Sequence, residues 1–541
     1  MMKNIKPGWV VNVITFFLLL LSQNISAQSN ASAIVPVTQK KELSKSIGSL
    51  PFSTPEAEGV SSAGIMNFLD AVQKGRNELH SFVIIRHGKI ISQGWWEPYA
   101  KDLRHVMFSV SKSFTSTGIG LAIAENKLKL TDKVISFFPQ SLPDTLSEYM
   151  KEMTVEHLLK MSTGMNADPL FTARSSKDWP KAFLSAPVEN KPGTIFKYNN
   201  MATFMLSAIV QKATGQKLFD YLKSRLFEPL GITSVTWDET PEGYTFGAIG
   251  LRIQSGDMVK FGQMLLQKGK WNGKQIVPQS WVEQATSFKI NSNDPGNKTP
   301  KELNDWEQGY CYQFWRCRNN GYRADGLGGQ FIIVLPEKDA VVVLTASATN
   351  TQEEMNLVWD YLLPAMQDKT LPEDKNSLAA LNKRIASLSV SKTDYTNASL
   401  LSKISGKKIE IAQNETGIKA LTLSIKGSDA QLKIDRGDEA YELLAGKNNW
   451  KFSETKVTTL APAPNAMIAP PASNQALPIK VASRYSWIDA SAIEWTSKFV
   501  EQSIGSETWA FRFEDSGNEL KVQVEIKGIR PRKLEGKIVN Y

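Results

Sequence analysis

The sequence predicts an α+β fold in two parts. Residues 51–370 should form an antiparallel sheet flanked by helices, together with an all-helical lobe, and residues 398–541 a C-terminal antiparallel β domain. Three patterns predict this. Strand-like apolar runs, SFVIIRHGKIISQGWW (81–96) and FIIVLPEKDAVVVLTAS (331–347), sit at opposite ends of the first part. Residues 110–310 between them read mainly as helices and loops. Strands from both ends of a segment that enclose a helical insert imply one sheet, a separate helical lobe and a cleft between the two. Beyond residue 398 the pattern changes to short alternating runs, ALTLSIK, AQLKI, KVASRYSW, TWAFRFED and ELKVQVEI, at the spacing of an all-β domain.

Taken from the N-terminus, Lys3 and Lys6 precede an apolar stretch from Val13 to Leu21, and Ile25-Ser26-Ala27 ends in small residues. This is the pattern of a secretory signal peptide (1–27) cleaved after Ala27. Its apolar core is too short to span a bilayer, and no cysteine stands at the cleavage point to carry a lipid. The mature protein is therefore expected to be exported without a membrane span, and periplasmic in a cell with two membranes. Residues 28–50 read as a polar leader. An amphipathic helix is expected near 352–368, then a polar linker with one short helix over 371–397. In the β domain, Leu421, Leu423 and Ile425 share one face of a strand, as do Trp509, Phe511 and Phe513. Those aromatics are expected to fill a core, a small barrel being one form it could take, with APAPNAMIAPPASNQALP (461–478) as a loop inside the domain.

Composition narrows the function. The 63 basic and 54 acidic residues leave a net charge of +9, mild for this length, and the lysines are scattered. No nucleic-acid site is expected. Mean hydropathy of −0.26 suits a globular protein with a real core. Cys311 and Cys317, if on one strand, lie about 20 Å apart, beyond disulfide reach, and are expected to be reduced and partly buried.

The chemistry centres on Ser109-Val110-Ser111-Lys112. A serine hydroxyl needs a base within hydrogen-bond reach, and a spacing of three places Lys112 one helical turn from Ser109. Ser-x-x-Lys also occurs at Ser389, Ser405 and Ser453. The Ser109 copy opens a helix-like apolar stretch, with Phe114, Ile119, Leu121, Ile123 and Leu128, so that the serine sits where helix N–H groups favour developing negative charge, whereas the Ser389 copy lies in a polar stretch between domains. Tyr198-Asn199-Asn200 follows the turn Lys191-Pro192-Gly193 and leads into a helix; the tyrosine could relay protons and Asn200 could hold Lys112 or a substrate amide. YRADGLGGQFIIVLP is a glycine-rich turn feeding an apolar strand, where a backbone N–H could serve an oxyanion. Each segment alone has a structural alternative: a capping serine, a packed tyrosine, a hairpin corner.

In this order the three segments resemble the penicillin-recognising serine hydrolases, in particular the class C β-lactamase branch with its esterases and 6-aminohexanoate-dimer hydrolases. The resemblance runs over roughly residues 50–370 and includes Leu158-Leu159-Lys160-Met161-Ser162-Thr163-Gly164-Met165. It implies Ser109 as the acylated nucleophile, with Lys112 and Tyr198 sharing the base and acid roles. It also implies an ester or amide substrate, small or peptide-like, with cell-wall material as one source, and calls for no cofactor and no metal. The third box departs from the Lys-Thr-Gly or His-x-Gly pattern. Ala324-Asp325-Gly326 keeps the glycine and loses the cation, and Gly326-Leu327-Gly328 is the other placement. On the first alignment the N–H groups of Ser109 and Leu327 form the oxyanion hole. Arg323 is the neighbouring cation that would have to compensate, although adjacent strand residues point to opposite faces. A lost cation disfavours a substrate carboxylate and favours a neutral ester or amide. A D-alanyl carboxypeptidase or weak β-lactamase is the alternative within the class, and a non-catalytic envelope binding protein the alternative outside it. No Gly-x-Ser-x-Gly elbow, phosphate loop or metal-ligand spacing occurs. Of four histidines only His157 follows Ser109, in an ordinary helical pattern, and His105 reads as packed.

Overall fold

A computed structural model describes residues 46–47 and 50–538, apart from 294–295, 389–394, 457–477, 503–504, 518 and 528–530. The expected signal peptide, nearly all of the polar leader, the Ser389 copy of Ser-x-x-Lys and most of the Pro/Ala loop lie outside the described residues.

The two ends of the first part do meet. The strand Ala340–Ser347 pairs antiparallel with Glu78–Arg86, with Val341 opposite Ile85 and Val343 opposite Val83. Around this pair the sheet runs Trp315–Arg316, Tyr322–Gly326, Gln330–Leu335, Ala340–Ser347, Glu78–Arg86, Lys89–Trp95, every neighbour antiparallel. Its central strands are continuous apolar runs because both faces are covered. Val83, Ile85, Ile332, Val341 and Val343 join the core of the helical lobe. Phe82, Ile84, Phe331, Ile333, Val342 and Leu344 pack with Phe68, Leu69 and Val72 of the helix Ser62–Lys74 and with Met355, Val358 and Leu362. Gly262, on the helix Ser255–Leu266, lets that helix lie directly on the sheet: a Cβ there would stand 2.7 Å from Val341 Cγ1.

The expected linker is in part docked. The helix Lys375–Ala386 buries Leu381, and Leu388 follows it into the same core; Leu388 Cδ1 would meet a Cβ on Gly94 at 2.8 Å. Only one residue in four of that helix is apolar enough to show a face, so composition alone reads it as solvated. The two cysteines are buried and free, but not on one strand: the chain turns at Gln313, whose φ is 65°, so that the Cys311 N–H bonds the Phe314 carbonyl.

The β domain is a closed barrel. From Ala440–Lys447 the order is Asp429–Asp435, Ala420–Lys426, Lys408–Ile411, Arg532–Ile538, Leu520–Lys527, Ser506–Asp515, Ala492–Lys498 and Ile479–Asp489. A short parallel pairing, Gly446 with Arg484 and Lys447 with Tyr485, closes the ring, and Lys451–Thr455 adds to Ile479–Asp489. Closure removes the exposed edges that invite association. Leu421, Leu423, Ile425, Trp509, Phe511 and Phe513 all face the core, with Trp495 opposite Trp509 across neighbouring strands. The aromatics are packing, as expected.

Candidate active site

Ser109 lies in a single 3₁₀ turn, Phe108–Val110, that runs into the helix Ser111–Ala124. Phe108 holds φ at 44°, the left-handed region that costs an L residue roughly 1–2 kcal/mol. The cost is held by neighbours on both sides of the serine. Met107 N–H bonds the Leu251 carbonyl at 2.9 Å, and Ser111 Oγ donates to Phe108 O at 2.6 Å. The helix behind is buried nearly all round, polar letters included. Ser113 Oγ donates to Gln313 O and Thr115 Oγ1 to Gly247 O, so these hydroxyls tie the helix to its surroundings. Gly120 admits Trp281, whose ring would lie 2.3 Å from a Cβ.

Lys112 is 1% exposed. Its Nζ stands 3.1 Å from Ser109 Oγ, 2.7 Å from Asn200 Oδ1 and 2.9 Å from Ala248 O. Two of these partners are oxygens that can only accept. A neutral amine therefore spends its two N–H groups on them and turns its lone pair to Ser109. Burial lowers the amine's pKa to about 7, against an opposing pull from Asp168 and Asp325.

Tyr198 hydrogen-bonds Ser109, and burial raises its pKa, so it is a neutral phenol at pH 7. Its ring stacks on Trp315 at 6.0 Å between centroids, meets the edge of Tyr310 and lies 4.9 Å from Lys112 Nζ. Asn199, not Asn200, caps the helix Asn200–Thr214 by accepting from Ala202 N–H. Asn200 is thereby free to reach Lys112, and Asp168 fixes its orientation. One Asp168 oxygen accepts from both the Asn200 N–H (2.8 Å) and Nδ2 (2.9 Å), which turns Oδ1 toward the lysine. The Ser162-Thr163-Gly164 segment supports this loop: Gly193 N–H bonds Ser162 O and Lys197 N–H bonds Met161 O.

Gly326 passes directly beside the serine turn. A Cβ on it would sit 2.4 Å from Met107 O, so the close approach requires glycine. Gly328 instead lies in the turn beyond, with φ at 74° and its carbonyl bonded to Ala348 N–H. The geometry thus favours the Ala324-Asp325-Gly326 alignment. Leu327 follows with its side chain 55% exposed. Ala324 is in the core and brings no cation.

Arg323 does not compensate, which decides a point the sequence leaves open. It is fully buried, its Nε donates to Asp325 Oδ2 at 2.8 Å and its Nη1 to Asp305 O and Arg316 O, with Trp306 over the guanidinium at 4.5 Å. Residues 323 and 325 share a strand face, so the cation is spent on the neighbouring acid. Asp325 is the residue the sequence undervalued. It interacts electrostatically with Lys112, and burial pushes its carboxyl up while Arg323 pulls it down. Asp168 was missed altogether, because nothing in its spacing ties it to Ser109. The two other described Ser-x-x-Lys serines serve the barrel: Ser405 Oγ donates to Ile425 O, and Ser453 Oγ accepts from the Leu444 N–H. His157 Nδ1 accepts from Thr154 N–H in a capping box, and His105 is buried against His80.

Known proteins similar to the chain give its family. The family model described as Beta-lactamase matches residues 70–367. A 6-aminohexanoate-dimer hydrolase of Paenarthrobacter ureafaciens is 25% identical over 49% of this chain and 72% of the relative. The esterase EstB of Burkholderia gladioli is 26% identical over 28% of this chain and 44% of the relative. Among solved structures, the octameric penicillin-binding protein homologue of Pyrococcus abyssi is 16% identical, covers 87% of this chain and 99% of its own, and has a TM-score of 0.45. With a site built on Ser109, Lys112 and Tyr198 and a family match over more than half its length, the chain belongs to the beta-lactamase family of serine hydrolases.

Proposed function

We propose that the protein is an exported hydrolase that cleaves a neutral ester or amide, small or peptide-like, through an acyl-enzyme on Ser109. The observation that carries this reading is the buried Lys112 amine, 3.1 Å from Ser109 Oγ with its pKa lowered to about 7. Ser109 Oγ attacks the carbonyl carbon and passes its proton to Lys112. The N–H groups of Ser109 and Leu327 receive the oxyanion. As the tetrahedral intermediate collapses, Tyr198 gives its proton to the leaving oxygen or nitrogen and is refilled from the Lys112 ammonium. Water then attacks the acyl carbon, loses its proton to Lys112 and releases the acid, with the proton returning to Ser109.

Tyr198 acts here as a phenol, not as a phenolate base, since burial holds its proton. Ala324 leaves the family's carboxylate-binding box without a cation, and the adjacent Arg323 guanidinium is spent on Asp325 and sealed beneath Trp306. Both features speak for a neutral substrate over a D-alanyl carboxypeptidase or β-lactamase substrate. Export rests on the signal-peptide pattern, and a cell-wall ester or amide would be within reach of an exported enzyme. Among the described residues no helix is long and apolar enough to cross a membrane.

Intact-protein mass after incubation with a fluorophosphonate tests the reading. One adduct is expected on the wild type and none on Ser109→Ala at unchanged fold. Equal labelling of both would overturn Ser109 and mean that another serine is the nucleophile, and labelling of neither protein by fluorophosphonate and penicillin alike would overturn the enzyme reading and leave the non-catalytic binding role.

A further inference from the structure

The barrel touches the hydrolase domain at a place that matters for Ser109. The Phe499–Gln502 corner, which follows the barrel strand Ala492–Lys498, abuts a small sheet in which Leu251–Gln254 pairs with Arg104–Val106. Glu501, 5% exposed, accepts from Arg104 Nη2 at 2.9 Å through its carboxylate and from Arg252 Nε at 3.0 Å through its carbonyl. Gln502 Oε1 accepts from Arg252 Nη2 at 2.5 Å. The remaining guanidinium donors of Arg252 reach Asp238 and Gly250 O. Beside this grip, Tyr99, Ala482 and Val500 make a buried apolar contact and Lys498 pairs with Glu78.

Arg104 sits on the strand that runs into the Ser109 turn, and Arg252 on the strand paired with it. Val106 pairs with Arg252, and the next residues, Met107 and Leu251, are joined N–H to carbonyl. The Leu251 N–H donates to Ser111 Oγ, which itself holds Phe108 O. Four residues before Arg252, the Ala248 carbonyl accepts a hydrogen bond from Lys112 Nζ. The strand held by the barrel thus fixes the backbone on both sides of Ser109 and one of the two acceptors that aim the lysine lone pair.

We propose that Glu501 and Gln502 of the barrel are positioning residues for the hydrolase centre, acting through Arg104 and Arg252. The proposal rests on the reading of Ser109 and Lys112 given above. A constellation shifted by as little as an ångström loses about a hundredfold in rate, so the barrel would be part of the catalytic unit and not a separate binding module.

The test uses the full chain and two readouts. In Glu501→Ala/Gln502→Leu, amide exchange at Met107 and Leu251 is expected to quicken at least about tenfold. Ser109 acylation by fluorophosphonate is expected to slow about ten- to a hundredfold in its limiting rate, with the half-saturating concentration unchanged. Gln502→Glu, which keeps an acceptor for Arg252, should exchange and acylate like the wild type. Wild-type exchange in the double variant would overturn the brace, as would faster exchange with an unchanged limiting rate, or an equal loss in Gln502→Glu. If the wild type itself is not acylated, the reading of Ser109 fails, while the exchange data still decide whether the barrel holds the strand. A double variant that fails to fold is replaced by Arg104→Ala, which cuts only the Glu501 carboxylate contact and must shift the same two readouts in the same direction.

Discussion

The barrel strand Leu520–Lys527 and the helix Ser111–Ala124 behind Ser109 are stabilised in opposite ways. LKVQVEIK alternates buried and exposed without exception. Its apolar set faces the core, its polar set faces water, and the period of two states the fold. The helix SKSFTSTGIGLAIA has no exposed polar face: Lys112, Ser113, Thr115, Ser116 and Thr117 are buried along with Phe114 and Ile119. Ser113, Thr115 and Thr117 donate to neighbouring carbonyls, and Lys112 is held by Asn200 Oδ1 and Ala248 O. An apolar core tolerates change in proportion to area lost, whereas a buried polar helix is sensitive to each partner it loses.

Three substitutions press on that difference. Trp495→Ala, in the barrel core opposite Trp509, is expected to cost about 3–5 kcal/mol in denaturant unfolding. Ser109 labelling under native conditions should survive, because the vacated volume lies inside the barrel. A loss below about 1 kcal/mol would mean that the barrel is not held by this core. Thr115→Val keeps the shape of the side chain and removes its donor to Gly247 O. It should cost about 1–3 kcal/mol and slow acylation, since Gly247 adjoins the Ala248 carbonyl that holds Lys112. Equal stability in calorimetry would show that the hydroxyl is idle. Gln523→Thr, exposed on the barrel strand, should stay within about 0.5 kcal/mol, and a larger change would mean that this outer face is covered.

Legibility in the sequence followed the same division. Alternation in the barrel and the apolar runs at 81–96 and 331–347 report burial through side-chain type alone, so the sheet and the β domain could be read from them. At the site, Ser109, Lys112, Tyr198, Asn200 and Gly326 carry local motifs, and the structure brings them together. Asp168 has no motif, because its role is to accept from a helix start more than thirty residues away in sequence. The pairing of Arg323 with Asp325 depends on which strand face is sealed by Trp306, a property of the tertiary packing. The helix 375–386 looked solvated because a single buried leucine carries much of its docking.

The most direct test of Lys112 as the base is the pH dependence of the Ser109 acylation rate, followed by intact mass. Burial weakens the hold of the amine on its proton, so the neutral base is populated above its lowered pKa of about 7. The rate should rise as pH climbs through about 7 and then level, and Lys112→Met should lose this limb together with about a hundred- to ten-thousandfold in rate. A limb near 10, the ordinary range of an exposed lysine, or a Lys112→Met variant that keeps the wild-type profile, would contradict the account.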